Sequence, residues 1–218
     1  MKDAGTDTLP PSFNYVIDWA TPIERELVFA RMRANGRQTM NFRTMPTAKL
    51  IVLKDLDNGG KIIGWEGLDW EHNPEFPEVF SQFVDEAYRS FLLGVALSHA
   101  CASILLKNGK ENAFLRMEQA TNDALLSIRA NSKIYRVLEP HELKESWTSQ
   151  CQNCELYKKS CKSQAYLTYK VKDWVEFGNR RMGVAEIVTL PSRLTLSKEI
   201  FRQQERGDKV RYQAKWVA

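Results

Sequence analysis

Residues 79–106 constrain this chain more than any other stretch. Residues 79–84 read as a strand, a polar turn carrying Asp85, Glu86, Tyr88 and Arg89 follows, and residues 91–106 form an almost wholly apolar helix closed by Asn108 and Gly109. A helix this apolar is buried on most sides, so the chain must build a sheet and further helices around it. The order strand, turn, helix also has a chemical consequence. Turn amides and the first amides of a helix lack internal partners, and the helix dipole adds partial positive charge there. A phosphate fits such a place without a dedicated cationic pocket.

The 218 residues suit one sizeable domain, or one with an appendage, and 43% hydrophobic residues suffice for a core. No run of about 18 apolar residues is present, so no membrane span is expected. The start, MKDAGTDTLPPS, lacks a basic region followed by an apolar stretch and reads as a loose leader, not a secretory signal. Net charge is +4, from 31 Lys+Arg against 27 Asp+Glu, which permits an anionic ligand without demanding nucleic acid. Four cysteines in a chain of this size argue against a disulfide scaffold and for a reducing, cytoplasmic setting.

Residues 14–19 have the β-branched and aromatic chemistry of a strand. Thr21, Pro22 and Glu24 then announce a helix: Thr21 caps, Pro22 suits the first helical position, and Glu24 completes a capping box. Ile23, Leu27, Ala30 and Ala34 recur on one face, and Gly36 follows as a stop. Residues 49–53 are a short apolar strand, Asp57, Asn58, Gly59 and Gly60 a turn, and residues 61–68 the returning hairpin strand. Pro74 and Pro77 mark a loop before the strand at 79–84. Beyond the apolar helix, residues 113–118 read as a strand, 122–131 as a short helix and 134–138 as another strand. After Pro140 a polar, cysteine-bearing stretch intervenes. Residues 166–171 and 184–188 then read as strands, and residues 197–206 as a terminal helix capped by Ser197 and stopped by Gly207. The chain divides into a leader (1–13), an α/β core (14–138), a cysteine-bearing insertion (139–163) and the remaining strands and C-terminal helix (164–218).

Residues 83–97 resemble the cofactor motif of the GNAT superfamily, the acyl-CoA-dependent N-acyltransferases. That pattern runs Val-Asp-Pro-x-Tyr-Arg, then Gly-x-Gly-x-Gly/Ala, then an apolar helix. Val84, Asp85, Tyr88, Arg89, Gly94, Ala96 and Leu97 fall in the expected places, while Ser90 and Leu92 stand where the family has glycines. The element order over residues 14–138 is also the family's. The resemblance implies a GNAT-like mixed central sheet flanked by helices, here with a Cys-rich zinc-type insertion and a C-terminal extension. It implies transfer of an acyl group, acetyl in the first instance, from acyl-CoA to an amine by direct attack. Gln82, Phe83 and Val84 would offer backbone groups to pantetheine. Arg89, Ser90, Phe91, Leu92, Leu93 and Gly94 would hold the pyrophosphate. Asn122 resembles the family's frequent Asn at a helix start. Loops at residues 35–48 and 70–78 would line the acceptor side.

Acyl transfer needs a base for the amine, stabilisation of the carbonyl oxygen and departure of the thiolate. Base candidates are Glu78, at the start of the strand that would carry the thioester, and Glu66 on the strand before it, with Asp69 and Glu71 near that strand's end. Tyr135 is the candidate acid, with packing in a strand as its other reading. Two rivals stay open: a GNAT-like binding module without activity, and a nucleic-acid-modifying enzyme with a base or tRNA amine as acceptor.

Cys151 and Cys154 form a CxxC pair and Cys161 follows, which suits tetrahedral zinc; His141 is the nearest fourth ligand. A segment with so few apolar residues gains its fold from a metal. Cys101 lies in the apolar helix and reads as a small core residue. Lys158, Lys159 and Lys162 give the loop a basic character suited to nucleic acid, although a solvated loop is the simpler account. Elemental analysis of the purified chain is expected to find about one zinc per chain, lost in Cys151→Ser and Cys154→Ser variants. A metal-free wild-type chain would remove the zinc reading.

Overall fold

The computed structural model describes residues 13–34, 47–71, 73–89, 91–118, 134–138, 140–142, 163–183, 187–203 and 207–217. Local signals set its first elements. β1 (Phe13–Trp19) leads into α1 (Pro22–Ala34), which opens on the expected capping box: the Thr21 amide donates to Glu24 Oε2 at 2.8 Å, and the Glu24 amide to Thr21 Oγ1 at 3.3 Å. Glu24 also takes Lys54 Nζ at 2.9 Å. Burial pushes its carboxyl up, but the Lys54 and Thr21 hydrogen bonds and the Lys54 charge outweigh this and hold it below the usual range. β2 (Lys49–Asp55) and β3 (Lys61–Asp69) form the hairpin, turned by Gly59 and Gly60 at φ +62° and +74°. Only glycine takes two such angles without cost.

β4 (Glu78–Val84), α2 (Phe91–Lys107), β5 (Asn112–Glu118), β6 (Tyr135–Val137), β7 (Ser163–Lys170), α3 (Val171–Met182), β8 (Ser192–Gln203) and β9 (Gly207–Val217) complete the described elements. α2 ends as its sequence predicts. Gly109 adopts φ +69°, and the Lys110 amide returns to Leu105 O at 3.0 Å. All nine strands join one sheet in the order β6-β7-β5-β4-β3-β2-β1-β8-β9. The β4–β5 pair is parallel and every other pair antiparallel. The sheet is mixed, with helices on both faces. β7 pairs with β5 and β8 with β1, so the C-terminal third is woven into the sheet of residues 14–138.

Each face buries its own cluster. Ile17, Ile51, Leu53, Ile63, Leu68 and Val79 pack with Leu97, Cys101 and Leu105 of α2 and Val175 of α3. On the other face Leu50, Val52, Trp65 and Phe80 pack with Val28 and Met32 of α1. The apolar face read for α1 is therefore displaced. Ile23 and Leu27 are exposed, as are Ala30 and Ala34, and Val28 and Met32 supply the contact.

Two further readings change. Residues 197–203 are strand, not the helix read over 197–206: β8 pairs with β9 from Arg193↔Val217 to Gln203↔Gly207, and residues 204–206 lie outside the described residues. The Ser197 cap and Gly207 stop are real local signals. They lose to a ladder that starts where residues 192–196 pair with β1. α3 was not foreseen, although its buried Val171, Trp174, Val175, Gly178 and Met182 follow helical spacing. Ile187–Thr189 belongs to no strand, and residues 184–186 and the helix read at 122–131 lie outside the described residues.

α2 and α3 meet at His99 and Gly178. A Cβ at position 178 would overlap the His99 ring, so glycine sets the approach of the two helices. His99 is fully buried, with Nε2 at 2.9 Å from Asn179 Oδ1. Burial drives its pKa down to about 4, against a smaller upward pull from Asn179. The folded value lies below the unfolded 6.5, so the unfolded chain takes up the proton first as pH falls. This contribution is complete above pH 6.5 and is lost toward pH 4. Thermal unfolding between pH 6.5 and 5 is expected to show that decline, and His99→Gln to flatten it. Gly178→Ala is expected to cost about 1–3 kcal/mol by overpacking.

Candidate functional site

The site begins with a strand that leaves its neighbour. β4 and β5 pair only at Glu78↔Phe114 and Val79↔Leu115, anchored by the Phe114 amide on Pro77 O at 2.9 Å. β4 stays on β3 as far as Gly64↔Val84. The β3–β4 register slips between Trp65 and Gly67, so Ser81 and Gln82 together face Glu66. Ser81 holds φ +56°, an uncommon angle for a residue with a Cβ. Beyond Val79 and Leu115 the two strands continue without pairing, and this unpaired stretch between β4 and β5 is termed the notch.

α2 starts at the end of that notch. The Asp85 amide closes on Ile63 O at 2.7 Å, a single 3₁₀ turn (Glu86–Tyr88) follows, and the helix begins at Phe91. Asp85 is ion-paired with Arg31 of α1, whose Nη1 donates to Ile62 O at 2.7 Å. The same guanidinium lies 5.1 Å from the centre of Trp65 and 5.9 Å from that of Phe83. Arg31 thus fixes the exit of β4 against β3. Arg89 is largely exposed and lies on Val84 O through Nε at 3.4 Å. Leu93 is buried, Leu92 is half-buried against the main core cluster, and a Cβ at Gly94 would meet open space. The structure therefore brings Gln82, Phe83, Val84, Arg89, Leu92, Leu93 and Gly94 to one corner. Ser90, the Phe91 side chain and Asn122 lie outside the described residues.

The carboxylates separate by face. Glu78 is buried and sits directly across from buried Asp69, on the face opposite the Leu68↔Val79 pair. Asp69 accepts from Thr47 Oγ1 at 2.8 Å and the Glu71 amide at 2.9 Å. Glu66 is across from Ile51 and so faces α2. The structure does not place Glu66 with Glu78. Nor does it place Tyr135 there: β7 and β5 separate β6 from β4. The Tyr135 ring is packed 5.3 Å from Tyr169 and 5.2 Å from Trp174. As an aromatic buried on the α2 and α3 face, it is a core residue.

A buried polar cluster escaped the sequence reading. Gln82 Nε2 donates to Gly94 O at 3.0 Å and to Ser98 Oγ at 2.7 Å; Ser98 Oγ lies 3.3 Å from Glu66 Oε1. Burial, then the Glu66 charge and its hydrogen bond, push the Cys101 thiol well above its usual range, so it stays neutral. Gly94, Ser98 and Cys101 share one helix face, a small and polar stripe in an apolar helix that signals it.

The residues proposed for zinc are only partly described. Cys151, Cys154 and Cys161 lie outside the described residues, and His141 is exposed in a 3₁₀ turn, Pro140–Glu142. Among the described residues no group of three or more His, Cys, Asp or Glu is placed to hold a metal ion. No described helix is long and apolar enough to cross a membrane.

A mixed sheet whose one parallel pair parts beside a helix start has the GNAT fold. Solved structures share it. An acetyltransferase of the GNAT family from Staphylococcus aureus Mu50 is 13% identical over 72% of this chain and 99% of its own, with a TM-score of 0.54. N-acetylglutamate synthase from Neisseria gonorrhoeae, complexed with coenzyme A and N-acetyl-glutamate, is 12% identical over 72% of this chain and 35% of its own, at 0.52. A Bacillus subtilis acetyltransferase in complex with CoA is 12% identical over 72% of this chain and 98% of its own, at 0.50. At such identities the likeness is one of fold. No family model matches the sequence, and no curated protein does.

The bulge makes its own prediction. Ser81→Gly is expected to leave stability unchanged or raise it, and Ser81→Val to lower it by about 1–2 kcal/mol in urea unfolding. Equal loss in both variants would contradict the strained bulge.

Proposed function

We propose that the protein is an N-acyltransferase that moves an acyl group, acetyl in the first instance, from acyl-CoA to an amine. The observation that carries this is the parting of β4 from β5 beside the start of α2. A parallel ladder ending after two pairs leaves a strand edge for a pantetheine amide chain to meet. The open space at Gly94 leaves room for a diphosphate near the first amides of α2. Two of the solved structures with this fold hold coenzyme A.

In this reading acyl-CoA supplies an activated thioester when bound. The backbone of residues 82–84 holds the pantetheine, and the amides of residues 91–94 bind the pyrophosphate. Arg89 is exposed and adjacent, and adds a charge-assisted contact. Glu78 lies on the face under α1, opposite the face that carries Glu66, and takes the proton from the acceptor amine. Asp69 beside it shares that face and disfavours an anionic acceptor. Direct attack needs no covalent acyl-enzyme, and buried, neutral Cys101 is unsuited to one. The acceptor is an amine whose remaining structure is set by loops on that side.

Incubation with acetyl-CoA and a panel of primary amines is expected to release free CoA. Glu78→Gln is expected to lower kcat by about 10²–10⁴ while the KM for acetyl-CoA changes little. Absence of CoA binding at about millimolar concentration would overturn the reading.

A further inference from the structure

We propose that Gln82 is a latch, its side chain pinning the bulged half of β4 to α2 and so holding the notch in shape. Two features force the need. Past Val79↔Leu115 the strand has lost its β5 ladder, and at Ser81 it carries an unfavourable backbone angle. A strand in that condition straightens and rejoins its neighbour unless something holds it. The pairing with β3 fixes one edge. The Gln82 carboxamide fixes the face: both of its N–H groups are engaged, one by a backbone carbonyl and one by a hydroxyl of the same helix. Its partners Gly94 and Ser98 are one turn apart, so the contact fixes β4 along α2 as well as against it.

Ser98 is held in turn by Glu66, the β3 residue that the bulge faces. The bulged strand, the helix beside it and the strand opposite are therefore linked by one chain of hydrogen bonds, from Gln82 to Ser98 to Glu66. Ser98 and Glu66 are buried, so their part of this chain is costly to break. Gly94 does two things at once: its carbonyl receives the latch, and its missing side chain leaves open space near the helix start. One carboxamide thus sets the distance between the strand edge, proposed to meet pantetheine, and the helix amides, proposed to meet pyrophosphate. Gln82 is a positioning residue in this scheme. Its effect on the backbone is independent of the ligand; only its effect on acyl-CoA rests on the function proposed above.

The test separates the two. Gln82→Met keeps the volume and removes both Gln82 hydrogen bonds; Ser98→Ala removes one of these and the Ser98–Glu66 bond. Amide hydrogen exchange is measured on the full-length wild type and on both variants. Exchange in peptides spanning residues 80–94 is expected to rise about tenfold in Gln82→Met, with β1 and β2 peptides unchanged. CoA affinity, measured by calorimetry, is expected to fall about tenfold in Gln82→Met and less in Ser98→Ala, with no further loss in the double variant. Unchanged exchange at residues 80–94, or a uniform rise across the sheet, would overturn the latch. Should the wild type fail to bind CoA while the local exchange rise is seen, the latch stands and the acyltransferase reading falls.

Discussion

The structure depends on where β4 gives up β5. A parallel pair in a buried sheet is worth a ladder bond for nearly every residue, and chains rarely abandon one midway. Here the ladder lasts for two register pairs and then stops, although both strands continue. The separation is built, not incidental. A bulge at Ser81 turns β4, Arg31 holds its exit through Asp85 and Ile62 O, and Gln82 fastens its face to α2. Two of the supports, the bulge and Gln82, belong to the strand itself, and the third, Arg31, comes from α1; Gln82 reaches across to α2.

The rest of the fold follows from burying α2. A helix with this many apolar residues needs cover beyond one sheet face, and α3 supplies it by packing across it at Gly178 and His99. β7 leads directly into α3, so the strand that extends the sheet beyond β5 also delivers the covering helix. On the other face α1 covers β2, β3 and part of β4 through Val28 and Met32. Glu78 and Asp69 belong to that face, and Glu66 to the α2 face. Alternation along the strands thus puts the two glutamates on opposite faces: Glu78 on the α1 face, proposed for the acceptor, and Glu66 beside Ser98.

What the sequence revealed was local or strongly periodic. The Thr21–Glu24 capping box, the Gly59–Gly60 turn, the α2 stop at Gly109 and the β2–β3 hairpin are set by neighbouring residues and were legible as such. So was the order of elements through β5. Long-range pairing was not legible. Residues 197–206 carry helix punctuation, yet β9 claims residues 197–203 as its partner. α1 shows two apolar stripes, and only the sheet decides that Val28 and Met32 are the buried one. The site was half legible. Arg89 and Gly94 mark the helix start in sequence, while the bulge at Ser81 leaves no glycine to betray it. The Gln82 latch depends on a side chain from one element meeting two groups on another, which no spacing rule encodes.

The central claim is that the notch between β4 and β5, under the start of α2, seats an acyl-CoA. Titrating coenzyme A into isotopically labelled protein and following backbone amide signals by NMR tests it most directly. The account predicts shifts concentrated at residues 82–84 and 91–94, with the β8–β9 hairpin unmoved. Shifts confined to other surfaces, with those two segments silent at saturating coenzyme A, would contradict it.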